Sequence, residues 1–219
     1  MKNDGTIVVK IDGNSGQINA ANWTDIVDVS AGKRHVLGLR IDGMVEAAGS
    51  NNEKQCEVSE WDNIVSVAAG YNHSLGLRAD GTVLYAGEDE TVRKQISEWA
   101  DIKSISAGND FSIGLHNDGS VITVGLDDEY KKIVSEWKDI IAISAGKEHV
   151  VALKKDGSVL ATGLNNQGEC NVSKWKDIVS VSAGALHTIG LKTDGTVVSV
   201  GSNDYHQYDT DSWKDIRTD

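Results

Sequence analysis

The chain has 219 residues, 39 % apolar and 25 % charged, and a formal net charge of −12. A chain of this length buries roughly 70 % of its unfolded surface, so it needs no disulfide or metal to fold. Its acidity repels phosphate backbones and anionic lipid, and no apolar run approaches the ~18 residues of a membrane span, so nucleic acid and membrane are not expected partners.

Taken in chain order, residues 1–22 open on "MKNDGTIVVK", without the apolar run of a signal peptide, and a cytoplasmic location is expected. After Trp23 the same elements recur. A short β-branched run such as "DIVSVSAG" (177–184) is followed by a second, "HTIGLKTDG" (187–195), and then by "TVVSVG" (196–201). The Asp194-Gly195 dipeptide between the last two is typical of tight hairpin turns. No segment sustains the i, i+3, i+4, i+7 pattern of a helix over three turns. Each unit is expected to be a small antiparallel sheet of three or four strands.

The six tryptophans stand at 23, 61, 99, 137, 175 and 213, five intervals of 38 residues. The glycines of the D-G dipeptides keep the same step at Gly5, Gly43, Gly81, Gly119, Gly157 and Gly195. Periods near 40 residues mark solenoids or propellers, and closure into a wheel removes the exposed sheet edges of an all-β stack. The expected fold is therefore an all-β, six-bladed β-propeller forming a single domain over residues 1–219. Its complete repeats are 23–60, 61–98, 99–136, 137–174 and 175–212. Head and tail, 1–22 and 213–219, supply 29 of the 38 positions of one more repeat and are expected to share the closing sixth blade.

The recurring order W-x-D-I-V-x-V-S-A-G-x-x-H-x-x-x-L-x-x-D-G-x-V-x-x-x-G resembles the repeat of the regulator of chromosome condensation 1 family, in its bacterial form. In places "GSNNEKQ" (49–55) or "GLNNQGE" (163–169) follows it. The resemblance implies a propeller but no single function, since the family serves as nucleotide-exchange factors, enzyme inhibitors and interaction domains. Members acting on a Ran-type GTPase use an extra wedge-like insertion, for which the strict 38-residue step leaves no room. The architecture is also similar to β-lactamase inhibitory protein II, whose gripping surface is built largely by its A-G-x-x-H turns.

His35, His73, His149 and His187 close these turns, and Phe111 takes their place in the third repeat. Phenylalanine packs but cannot ligate, so packing and hydrogen bonding account for this ring better than a metal does. No cofactor is expected, and no hydrolase, metalloprotease or phosphate-loop motif occurs. Cys56 and Cys170 are expected to be reduced structural thiols. The acidic runs Glu88-Asp89-Glu90 and Asp127-Asp128-Glu129 replace the repeat's G-x-N-x-x-G-Q turn and are expected to form a negative rim patch, on a different turn from A-G-x-x-H.

What varies between repeats is the pair inside each turn: Lys33-Arg34, Tyr71-Asn72, Asn109-Asp110, Lys147-Glu148 and Ala185-Leu186. With Phe111 beside them, these are the candidate partner-binding residues, because binding groups concentrate on loops held by a rigid scaffold. The chain reads as a monomeric, non-catalytic protein-interaction module, possible inhibitor or adaptor, whose partner is another protein of neutral or basic character. The alternative is a structural building block whose incomplete sixth blade is finished by another chain, giving an oligomer.

Overall fold

The computed structural model describes residues 20, 22–207, 209, 210, 213, 215 and 216. Most of the expected closing blade, 1–22 with 213–219, lies outside these described residues. Five sheets of three antiparallel strands follow one another, each in chain order with the middle strand central. They are β1 (Ile26–Ala31), β2 (His35–Arg40) and β3 (Val45–Gly49); β4 (Ile64–Ala69), β5 (Ser74–Arg78) and β6 (Val83–Ala86); β7 (Ile102–Ala107), β8 (Ser112–His116) and β9 (Val121–Val124); β10 (Ile140–Ala145), β11 (His149–Lys154) and β12 (Val159–Gly163); and β13 (Ile178–Ala183), β14 (His187–Lys192) and β15 (Val197–Gly201). The chain divides into two compact units, Met1–Ser112 and Ile113–Asp219. Among the described residues no helix is long and apolar enough to cross a membrane.

Within a repeat, the D-G turn is a three-residue connection. In the first repeat Gly43 N–H donates to the Arg40 carbonyl at 3.0 Å, and Arg40 N–H donates to the Met44 carbonyl at 2.9 Å. Gly43 closes this turn at φ +79°, in the left-handed region that costs glycine nothing. The third residue of W-x-D takes the same region: Asp25, Asn63, Asp101, Asp139, Asp177 and Asp215 have φ between 54° and 60°. Asp and Asn tolerate it better than other side chains, which explains their presence at this step of every repeat.

The core of the first unit joins successive sheets. Leu37, Leu39, Val45 and Val58 of one repeat pack in a cluster with Trp61, Ile64 and Val67 of the next. In the second unit Val151, Leu153 and Val159 pack with Val172 and Ile178. Burying each large side chain contributes about 1.5–3 kcal/mol. The tryptophan lies against the glycine of the middle strand: a Cβ on Gly76 would stand 2.6 Å from the Trp61 ring.

Two short helices depart from the all-strand expectation, α1 (Glu90–Ile96) and α2 (Asp128–Ser135), one in each unit. They occupy the places where the G-x-N-x-x-G-Q turn is degraded, and for α1 the difference is one residue, whereas Asp127 at the start of α2 makes no side-chain capping bond. Where the Asn of the turn is kept, Asn51 Oδ1 accepts from Cys56 N–H and Asn165 Oδ1 accepts from Cys170 N–H, each at 2.8 Å, holding a loop. The equivalent Asp89 instead accepts from Thr91 and Val92 N–H and caps α1. The acidic runs are thus helix starts. Cys56 and Cys170 are free thiols whose Sγ–H groups donate to the carbonyls of Ser50 and Leu164, and burial pushes both thiols up, Cys170 to about 12.

The A-G-x-x-H glycine is required by proximity. A Cβ on Gly70 would meet the Gly108 carbonyl at 2.8 Å and His73 Nδ1 at 2.7 Å. Gly70→Ala is expected to lower stability by roughly 1–3 kcal/mol, as overpacking does. An unchanged urea midpoint would show that the turns are not this closely stacked.

Candidate functional site

Each A-G-x-x-H turn joins the first and second strands of its repeat, so all such turns stand at one end of the sheets. The segment after the third strand returns to that end, since Ser50 N–H donates to the Arg34 carbonyl at 2.8 Å. The histidines hold the end together. His35 Nε2 lies 2.9 Å from Ser74 Oγ, and His73 Nε2 lies 3.1 Å from Ser112 Oγ, both in the first unit. In the second unit His149 Nε2 lies 2.9 Å from Thr188 Oγ1. Each link runs from one repeat to the next, 39 residues on.

The hydroxyl hydrogens decide the tautomer. Ser74 donates to the Gln55 carbonyl at 2.7 Å and Thr188 to the Glu169 carbonyl at 2.8 Å. Each hydroxyl therefore accepts from its histidine, which carries its proton on Nε2. His35 Nδ1 is left buried with no partner. A second proton there would have no acceptor, and burial holds both His35 and His73 down at about 4. Burial also lowers His149 and His187. Among the described residues no three His, Cys, Asp or Glu side chains gather to hold a metal ion.

Sequence reading singled out the histidines but missed their hydroxyl partners. The signal was present at a fixed offset: Ser74, Ser112 and Thr188 follow histidines by 39 residues, whereas the same step from Phe111 leads to Val150.

On this frame the first unit brings several candidate residues together. Lys33 Nζ donates to the Tyr71 hydroxyl and stands 3.9 Å from the centre of the Tyr71 ring. That hydrogen bond holds the Tyr71 phenol below its usual range, with Arg34 adding to the effect and Asp110 opposing it. Asn109 donates to Asp110 through its side chain. Lys33, Arg34 and Asp110 are exposed, while Tyr71, Asn72 and Asn109 are half-buried. Phe111 is buried, with its ring over Gly108. In the second unit Lys147 pairs with Glu148 at 2.9 Å, Ala185 is exposed and Leu186 half-buried.

Beside Tyr71 the first unit has a cavity of about 170 Å³, walled by Glu53, Asn72, His73, Tyr85, Glu88, Asp89, Val92, Asp110 and Ser112. The first acidic run thus shares a wall with two residues of the variable turns. Sequence reading kept these features apart because it had no sign that the segment after β6 returns to the A-G-x-x-H end.

The sequence profile of the Regulator of chromosome condensation (RCC1) repeat matches residues 64–89, 102–130, 140–169 and 178–207, together more than half of the chain. The chain belongs to the RCC1 repeat family. No curated protein gives a significant sequence match. Among solved structures, the RCC1-repeat chain is similar to Prp20p from Saccharomyces cerevisiae, a protein with binding properties to Gsp1p and histones, at 21 % identity and TM-score 0.65, covering 85 % of this chain and 58 % of that one. It is also similar to the ectodomain of the receptor kinase CR4 from Physcomitrella patens, at 23 % identity and TM-score 0.66, covering 85 % and 54 %. A third likeness is to the CRINKLY WD40 ectodomain of ACR4 from Arabidopsis thaliana, at 21 % identity and TM-score 0.64, covering 87 % and 70 %. The chain therefore spans little more than half the length of the yeast protein and the moss ectodomain.

The buried histidines give stability a defined pH dependence. An unfolded histidine titrates near 6.5 and the folded His35 and His73 near 4, so the unfolded chain binds more protons between these values. Their contribution is complete above pH 6.5 and falls away towards about 4, by roughly 1.4 kcal/mol per pH unit for each histidine. Urea unfolding should show this slope, and His73→Phe, copying the third repeat, should reduce it. A slope unchanged in the variant would contradict the assignment.

Proposed function

We propose that this RCC1-repeat chain is a non-catalytic protein-binding module that engages its partner through the A-G-x-x-H end. The observation that carries this reading is the contrast within the turns: the glycines are held by packing and His35, His73 and His149 by burial and hydrogen bonds, while the pair between glycine and histidine changes charge, size and polarity from turn to turn. Lys33, Arg34, Tyr71, Asn72, Asn109 and Asp110 would supply the contact in the first unit, with Phe111 supporting its turn from below. Lys147, Glu148, Ala185 and Leu186 are the equivalent groups of the second. Tyr and Arg are typical of the few residues that carry most interface energy. The yeast relative's binding of Gsp1p and histones supports a binding role in general and names no partner for this chain.

The reading includes a single domain of six repeats, the last shared by 1–22 and 213–219. Two observations support it. Ile216 N–H donates to the Gly195 carbonyl at 3.3 Å, the bond by which Ile140 and Ile178 begin the fourth and fifth repeats on Gly119 and Gly157. Trp23 N–H donates to the Ala20 carbonyl as Trp61 N–H does to that of Val58, so a preceding repeat leads into the first.

Arg34→Ala and Tyr71→Ala are each expected to weaken binding of a captured protein partner by roughly 1–4 kcal/mol. Lys155→Ala, exposed at the opposite D-G end, should leave it unchanged. Calorimetric titration of the three variants checks this. Equal binding by all three would remove the A-G-x-x-H end as the recognition surface.

A further inference from the structure

We infer that the cavity beside Tyr71 receives one arginine or lysine side chain from a loop of the partner. The cavity, of about 170 Å³, lies within the first unit and is smaller than a typical small-molecule site, a size suited to a single inserted side chain. Its walls differ in chemistry. The Tyr85 ring stacks on the His73 ring at 5.8 Å between centroids, and with Val92 this makes an apolar wall against which an aliphatic stem can lie. Around it stand the carboxylates of Glu53, Glu88, Asp89 and Asp110, contributed by the segments after β3 and β6 and by the turn before β8.

The charge of the cavity is not balanced from within. Among the described residues none of these four carboxylates is in an ion pair, although acidic groups elsewhere on the surface are, as in Arg40–Asp42, Arg78–Asp62 and Lys147–Glu148. Arg93 on α1 pairs with Glu90 at 3.6 Å, donates to the Gly87 carbonyl at 2.6 Å and holds its guanidinium 5.9 Å from the centre of the Tyr85 ring, so it offsets part of this charge without pairing with any of the four carboxylates. Asp89 spends one oxygen on the cap of α1 and Asp110 accepts from Asn109, which leaves Glu53 and Glu88 as the carboxylates with most capacity for an incoming donor. Burial, with the Asp89 charge second, pushes the Tyr85 phenol up to about 12, so the hydroxyl stays neutral and can accept from the guest. His73 is neutral too and does not oppose a cation.

This deepens the proposed function and rests on it for the partner, but the two fail separately, because the cavity can be tested with a small probe. Amide spectra of the ¹⁵N-labelled full chain would be followed during titration with N-acetyl-L-arginine amide, with the citrulline analogue as its neutral isostere. The arginine probe should saturate shifts at Asn72, Asp89 and Asp110 and bind roughly tenfold or more tightly than citrulline, as hydrogen bonds to charged groups require. Glu53→Gln with Glu88→Gln should remove that preference while keeping the rest of the spectrum, and Glu60→Gln should preserve it. Equal binding of citrulline, a preference that survives the double variant, or absence of saturable shifts would overturn the inference. Displacement of the arginine probe by calcium chloride at lower concentration would also overturn it, making the cavity a metal site. If the probe binds as stated while Arg34→Ala and Tyr71→Ala leave the protein partner's affinity intact, the proposed function fails and the cavity stands.

Discussion

The hydrogen bond from a buried histidine to a hydroxyl 39 residues later is the interaction on which the rest of the candidate site depends. It ties the second strand of one repeat to the second strand of the next at the end where the variable turns stand. Ser74 and Thr188 pass the bond on to a backbone carbonyl of the segment after the third strand, so each of these two links fixes three pieces of chain. Such a chain of bonds in a low-dielectric interior is strong when complete and costly when one member is lost. This is why glycine precedes each histidine: the ring and the next turn occupy the space where a Cβ would go.

A frame so constrained leaves the two residues between glycine and histidine free to differ. The same freedom extends to the segment after the third strand, where an Asn holds a loop and an Asp starts a helix. Changing one side chain at that position therefore alters local shape and charge together, and in the first unit it places carboxylates around the aromatic wall of Tyr85 and His73.

Much of this was legible in the sequence. The 38-residue step of tryptophan and D-G marked the repeats, and β-branched runs between them marked the strands. The helices were not legible because α1 has only 7 residues and α2 only 8, too short for a periodic pattern, although Asp89 before Thr91 and Val92 was a capping signal. The serines and threonine that receive the histidine bonds are visible only when residues 39 apart are compared, since within one repeat they look like ordinary strand residues. Burial of Phe111 follows from its place in the histidine ring, whereas its grouping with the exposed turn residues rested on sequence proximity alone. The cavity was out of reach because three separate segments, each unremarkable in sequence, wall it together with the strands.

The central claim is that neutral histidines, protonated on Nε2, donate to hydroxyls of the following repeat. Long-range ¹H–¹⁵N correlation spectra of the histidine rings test it most directly. At pH 7 the account predicts that His35 and His149 show the Nε2–H tautomer, and that the His35 ring stays neutral on acidification through pH 6.5. Nδ1–H tautomers, or imidazolium signals from the buried rings at neutral pH, would contradict it.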